Sequence, residues 1–257
     1  MHELFTEMLE VMDAAFRKFE AMVPKPVWVP EDRRFRFKEQ SIPQALIQKL
    51  ARVQSALRAS QLLLLHGYTM ELGILHRAVD ETNEDIEFLV CAITNDRITP
   101  LHERYLRSFW AEEFGDQKDP GRTHQSRDMV MRKNIRAYNT RILGDGLSPS
   151  EGLRAARVIS KAFSGFVHGA SPHIMESFGG NPPKFHTRGL RGSPRIPEYT
   201  RSLWNYMYRG LQSHIFVAKA FGAVSVFEGL QKHKKQFEAL VGVDYSARPR
   251  ASRPTTR

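Results

Sequence analysis

The chain is poor in cysteine and has no long apolar run, and both shortages exclude whole classes of protein. Its 257 residues contain one cysteine, Cys91. That rules out an internal disulfide framework and a cysteine-rich zinc site, and it suits a reducing cytoplasm. The densest apolar run, Leu62 to Leu65, falls far short of the roughly 20 residues a membrane span needs. No positively charged segment followed by an apolar one opens the chain, so the expectation is a cytoplasmic protein without a membrane role. A Walker loop, a G-x-G-x-x-G turn and a G-x-S-x-G elbow are all missing, which argues against phosphate-cradling NTPase and hydrolase-fold chemistry. Glu-x-x-His occurs nowhere, so a di-iron helical bundle is excluded, and no metal or cofactor is expected. There is no internal repeat and no strand-rich region.

What is present is helical periodicity. Between His66 and Thr94, steps of four and three pick out Tyr68, Leu72, Leu75, Val79, Thr82, Ile86, Leu89 and Ile93, one apolar seam along about seven turns. The rest of the chain is expected to be organised around this helix. Its back carries His76, Arg77, Asp80, Glu81, Glu84 and Glu87, which the pattern assigns to a solvated or partner-facing side. His76, Asp80 and Glu84 share a face at steps of four, but an acidic stripe of this kind reads as solvated rather than metal-binding. Glu71 breaks the pattern. It projects in the same direction as Leu89, at the edge of the seam, where a carboxylate is costly without a partner.

The remaining segments fit an all-α, bundle-like domain of five to eight helices over residues 1–245, followed by a disordered basic tail at 246–257. Phe5, Met8, Met12, Phe16 and Phe19 predict a first helix, ended by Pro24, Pro26 and Pro30. The segment Glu31–Gln40 alternates basic and aromatic residues. It reads as a short strand-like packing segment, or as a groove for single-stranded nucleic acid. Ser41 and Pro43 start a second helix, Thr99-Pro100 a third amphipathic stretch, and Met129–Ile142 another. Ser148-Pro149-Ser150-Glu151 is a helix start expected to lead to about Gly169. Glu198 to about Val241 predicts one or two long helices.

Net charge is +10, and it is not spread evenly. Residues from Gly179 onward hold 14 Lys/Arg and 4 Asp/Glu, whereas residues 1–178 hold 24 of each. The Gly/Pro-rich stretch 179–197 therefore reads as a basic flap, with Lys184, Arg188, Arg191 and Arg195 as candidate nucleic-acid contacts beside His186.

A second polar set lies on the predicted Ser148 helix. Arg157, Ser164 and His168 fall within about 40° of one another and are expected to meet Glu71 or Asp85, with Arg157 and Glu71 as a buried ion pair. With Glu71 they are candidate catalytic residues, or else groups that satisfy one another and fix helix register.

The helix ELGILHRAVDETNEDIEFL followed far downstream by FSGFVHG resembles an uncharacterised family of bacterial all-helical proteins, over about residues 40 to 220. The shared positions are Glu71, Arg77 and the S-x-x-x-H pair Ser164 and His168. More distantly the chain resembles the HEPN (higher eukaryotes and prokaryotes nucleotide-binding) domains of toxin and phage-defence systems. That resemblance implies RNA as partner, a homodimer, and an endoribonuclease using an Arg followed by His after four to six residues. Two such spacings occur, Arg97–His102 and Arg209–His214. The second pair points about 140° apart on a regular helix, so Arg97 and His102 are the better candidates. Arg157 and His168 share a face but lie roughly 16 Å apart along the axis, too far to address one scissile bond. The competing expectation is a non-catalytic module that binds another protein or a second copy.

Overall fold

Phe5, Met8, Met12, Phe16 and Phe19 are all buried, so the first helix, α1 (His2–Glu20), sets its apolar stripe into the core. The computed structural model describes residues 2–112, 128–143 and 163–241. The architecture is all-α, with seven helices of eleven or more residues among the described residues and two small hairpins. None of these helices is long and apolar enough to cross a membrane. Residues 144–162, which include Arg157 and the Ser148 start signal, lie outside the described residues, as does the tail 246–257.

Ser41 and Pro43 open α2 (Ile42–His66) as expected. Gly67 ends it rather than kinking it: its φ of 75° is left-handed, and its N–H reaches back to the Leu64 carbonyl. The chain then turns into α3 (Thr69–Thr94), the predicted organising helix. Along its seam Leu72, Val79, Thr82, Ile86 and Leu89 are buried. Next come α4 (Pro100–Trp110) and α5 (Arg132–Leu143). The last stretch is two helices, α6 (Ile196–Ala220) and α7 (Val224–Val241), broken at Gly222 with a φ of 64°.

Helix α3 packs against α2, α4, α5 and α6. Because neighbours cover it on several sides, its supposedly solvated back is only partly open to water: His76 and Asp80 are 0% and 5% exposed, and Arg77, Glu81, Glu84 and Glu87 are half-buried. Asp85, beside that face, is 1% exposed. This corrects the expected acidic outer face.

The segment 27–36 forms a real hairpin, with β1 (Val27–Val29) antiparallel to β2 (Arg34–Arg36). The predicted flap is a second small hairpin, with β3 (Phe178–Gly179) on β4 (Lys184–Phe185). It is tied to the α2–α3 junction. Leu190 N–H donates to the Gly67 carbonyl at 3.0 Å, and a Cβ on Gly189 would sit 2.1 Å from the His66 carbonyl oxygen. Gly189 also has a φ of 83°, a conformation that side chains disfavour. Gly189→Ala is therefore expected to lift the flap and speed tryptic cleavage at Lys184, Arg188 and Arg191. Unchanged limited proteolysis would contradict this docking.

Candidate functional site

Two polar lines with the same spacing face each other across the helix pair at the centre. On α3 they are His76, Asp80, Asn83 and Glu87; on α6 they are Ser202, Tyr206, Arg209 and Ser213. Each line steps by four, three and four, which keeps its members on one helical face. The His76 ring stacks on Tyr206 with centroids 4.0 Å apart, and its Nδ1 faces the Ser202 hydroxyl at 3.3 Å. Asp80 accepts a hydrogen bond from the Tyr206 hydroxyl at 2.8 Å and another from Arg209, whose guanidinium lies over the Tyr206 ring. Ser213 donates to Asn83 Oδ1 at 2.8 Å.

Helix α5 closes the far side. Arg136 Nε donates to Glu84 at 2.8 Å, and Asn139 Nδ2 donates to the Glu84 carbonyl, also at 2.8 Å. Asp85 is held between Lys49 of α2 at 2.7 Å and Arg132 at 2.6 Å. Lys49 in turn lies 4.8 Å over the Phe109 ring of α4.

Burial sets the protonation of this centre. It lowers His76 to about 3, with the Arg209 charge adding to the effect, so the imidazole is neutral. Its Nε2 has no partner among the described residues. Burial raises the Glu87 carboxyl to about 7, against the pull of Arg209. Burial also pushes Asp85 upward, but Lys49 and Arg132 together outweigh it and hold the carboxyl below its usual range. The layer contains four carboxylates (Asp80, Glu84, Asp85, Glu87) and four cations (Lys49, Arg132, Arg136, Arg209), so it is formally neutral. With His76 sealed from solvent, this arrangement sets how α3, α5 and α6 pack; it does not offer a base to a dissolved substrate. Among the described residues no group of three His, Cys, Asp or Glu side chains is placed to hold a metal ion.

The residues singled out in the sequence fare differently. Glu71 is exposed in the first turn of α3, not buried beside the seam. A carboxylate there is favoured by the helix dipole and needs no basic partner. It lines a cleft of about 350 Å³ with Ile174, Phe185 and His186. His168 is exposed and Ser164 half-buried, and among the described residues neither is hydrogen-bonded or ion-paired to Glu71. The segment 163–167 does meet α3, but through Phe163, edge-on to His76, and Phe166, against Gly73.

Arg97 is exposed, whereas His102 is fully buried and caps α4. Its Nδ1 accepts the Thr99 N–H at 3.1 Å, and its Nε2 donates to the Phe88 carbonyl at 3.1 Å. Both nitrogens are used, so His102 is a structural histidine and not a nuclease base. His214 is equally buried, between the Gly210 carbonyl at 2.7 Å and Gln54 at 2.8 Å.

Among the four flap cations, Arg195 is paired with Glu176 and Glu198, and Arg191 reaches His66 Nδ1 at 2.7 Å. Lys184 and Arg188 are exposed. Sequence reasoning missed Tyr206, Arg136 and Asn139 as members of this layer, and read Arg209 only as half of an Arg-to-His spacing, not as the partner of Asp80. The readable signal was the repeated spacing of the α3 and α6 polar lines. Compared with protein-family models, with curated proteins and with solved structures, the chain matches none of them.

Proposed function

We propose that the chain is an RNA-directed helical module of HEPN-like character that binds RNA through its basic flap and acts in the cytoplasm. The observation that carries this reading is the anchoring of the flap. The Leu190–Gly67 hydrogen bond and the close approach of Gly189 to His66 hold the hairpin on the α2–α3 junction. Lys184 and Arg188 are thereby presented outward from a fixed backbone. Fixed cations lose less entropy on meeting a phosphate chain than cations on a free tail do. The concentration of positive charge after Gly179 supports the same partner. The buried cysteine supports a reducing compartment.

The proposal is binding: the histidines of both Arg-to-His spacings, His102 and His214, are fully buried and bonded, which favours neither as the base of a nuclease. A place in a bacterial defence or toxin system rests on the resemblance to HEPN domains alone.

The test is RNA affinity as a function of salt. Log affinity is expected to fall linearly with log salt, and K184E/R188E to weaken binding to all RNA sequences alike while lowering the slope by about 2. If no RNA binds at low ionic strength, the proposal is lost. The apolar side chains exposed beside the flap, Ile174, Met175, Phe178 and Phe185, then favour a protein-interaction surface.

A further inference from the structure

The hairpin β1–β2 holds two large aromatic side chains out in solvent. Trp28 and Phe35 sit directly opposite each other in the antiparallel register and so share a face, with ring centroids 5.1 Å apart. They are 50% and 63% exposed. A hairpin that served only to cover the core would bury its paired rings, since each large aromatic has much apolar area to gain by burial. On the opposite face, Arg34 and Arg36 are tied to Asp32, and Arg36 also to Glu112. Those ion pairs fix the back of the hairpin and leave the aromatic side facing out.

That side overlooks a cleft of about 620 Å³ between the hairpin and the helices α1 and α2. Phe35 and Phe37 form one wall, Phe16 and Ile47 line the other, and Arg17, Glu20, Lys25 and Gln48 also border it. Trp28 is not part of this lining and extends it through its contact with the Phe35 ring. The volume is in the range of pockets that enclose small planar ligands. Around the hairpin, residues 25–38 contain Lys25, Arg33, Arg34, Arg36 and Lys38 against Glu31 and Asp32, a local excess of three positive charges. Lys25, Arg33 and Lys38 are exposed. A ring lining an apolar cleft, a second ring against it outside, and exposed cations nearby match unpaired bases on a phosphate chain. Stacking takes any base, and the cations follow the backbone. A bilayer surface would meet the same charges, but it is broad and has no use for a recessed cleft. A duplex keeps its bases stacked inside and cannot offer them to the rings.

We infer that Trp28 and Phe35, with the cleft behind them, form a stacking platform for single-stranded RNA, a site separate from the flap. This rests on the RNA reading above and specifies the form of RNA.

The experiment compares a fluorescein-labelled 12-nucleotide oligo(U) with a 12-base-pair RNA duplex, using the full chain at low ionic strength. The wild type is expected to prefer oligo(U), and W28A/F35A to lose about 10- to 100-fold in oligo(U) affinity with duplex binding unchanged. Binding of oligo(U) should also quench tryptophan fluorescence in the wild type but not in W28A. Because both side chains are largely exposed, the double variant should melt at the wild-type temperature. Equal wild-type affinity for the two probes overturns the platform, as does W28A/F35A binding oligo(U) like the wild type. So does a loss in the variant only of self-association by light scattering, or only of binding to phosphatidylserine vesicles. If both probes bind alike and K184E/R188E weakens both, the flap reading stands and only the platform falls. If neither probe binds, both readings fall.

Discussion

His76, His214 and Glu87 together are expected to make acidification from pH 7 to pH 4 destabilising, by about 3 kcal/mol for these three groups. Asp85, held low against burial by Lys49 and Arg132, adds to that loss, whereas Asp80 and Glu84, raised by burial, oppose it. His76 and His214 are buried and neutral, lowered by burial to about 3 and about 4. The unfolded chain takes up their protons from about pH 6.5 downward while the folded chain resists. Their stabilisation is therefore complete above pH 6.5 and is lost as the pH falls, by on the order of 6 kcal/mol for the pair at pH 4. Burial of His102 acts in the same direction. Glu87 works the other way. Burial raises its carboxyl to about 7, so the folded chain holds that proton more tightly than the unfolded one, and stability falls as the pH rises from about 4.5 to 7. Over the reverse course Glu87 returns about 3 kcal/mol. Because two histidines outweigh one carboxyl, stability is expected to climb from pH 4 to about pH 6.5 and to level off near pH 7, where the Glu87 cost is largely complete. Urea midpoints measured across this range provide the check. His76→Phe should flatten the acid limb, and Glu87→Gln should raise stability above pH 7 while leaving the acid limb steeper. If the midpoint of both variants follows the wild-type curve, these groups do not control it.

Asp85→Ala is expected to cost about 3–5 kcal/mol, the largest effect of any single carboxylate deletion here. Its side chain is 2% exposed, and removing it leaves Lys49 and Arg132 facing each other without the charge that separates them. Arg132 also holds α5 to the Glu81 carbonyl at 2.9 Å, so the loss should spread to the α3–α5 contact. The control is an exposed pair of the same chemistry, Glu10 with Arg58, whose side chains are 64% and 42% exposed. Glu10→Ala should cost less than about 1 kcal/mol, because water already screens that pair. Equal urea midpoints for the two variants would remove the case that Asp85 anchors the ionic layer.

Much of the fold was legible in the residue pattern because helix starts and stops are local events. Ser41 with Pro43 and Thr99 with Pro100 mark helix starts through proline in the first turn, Thr99 also through its capping box with His102. Gly67 could be read as a stop or a kink, and its left-handed backbone makes it a stop. The α3 seam was readable for the same reason, since its apolar residues repeat at the helical period. Glu71 misled because its helical angle says which direction it faces, not how far along the axis the neighbouring helices reach. At the first turn nothing seals it, although Leu89 at the same angle is buried. His102 misled in the opposite sense. Its distance from Arg97 fitted a nuclease spacing, while its position three residues after Thr99 made it a cap.

The sequence by itself determined that the chain is helical, where most of its helices begin and end, and that its positive charge gathers after Gly179. Only the tertiary structure decided that His76, Asp80 and Asp85 lie inside. Hydropathy periodicity registers an apolar face alone, and a polar line buried against a matching polar line has the same composition as one in water. Which of the two it is depends on whether Tyr206, Arg209, Lys49 and Arg132 arrive opposite it, from helices that are distant in the chain.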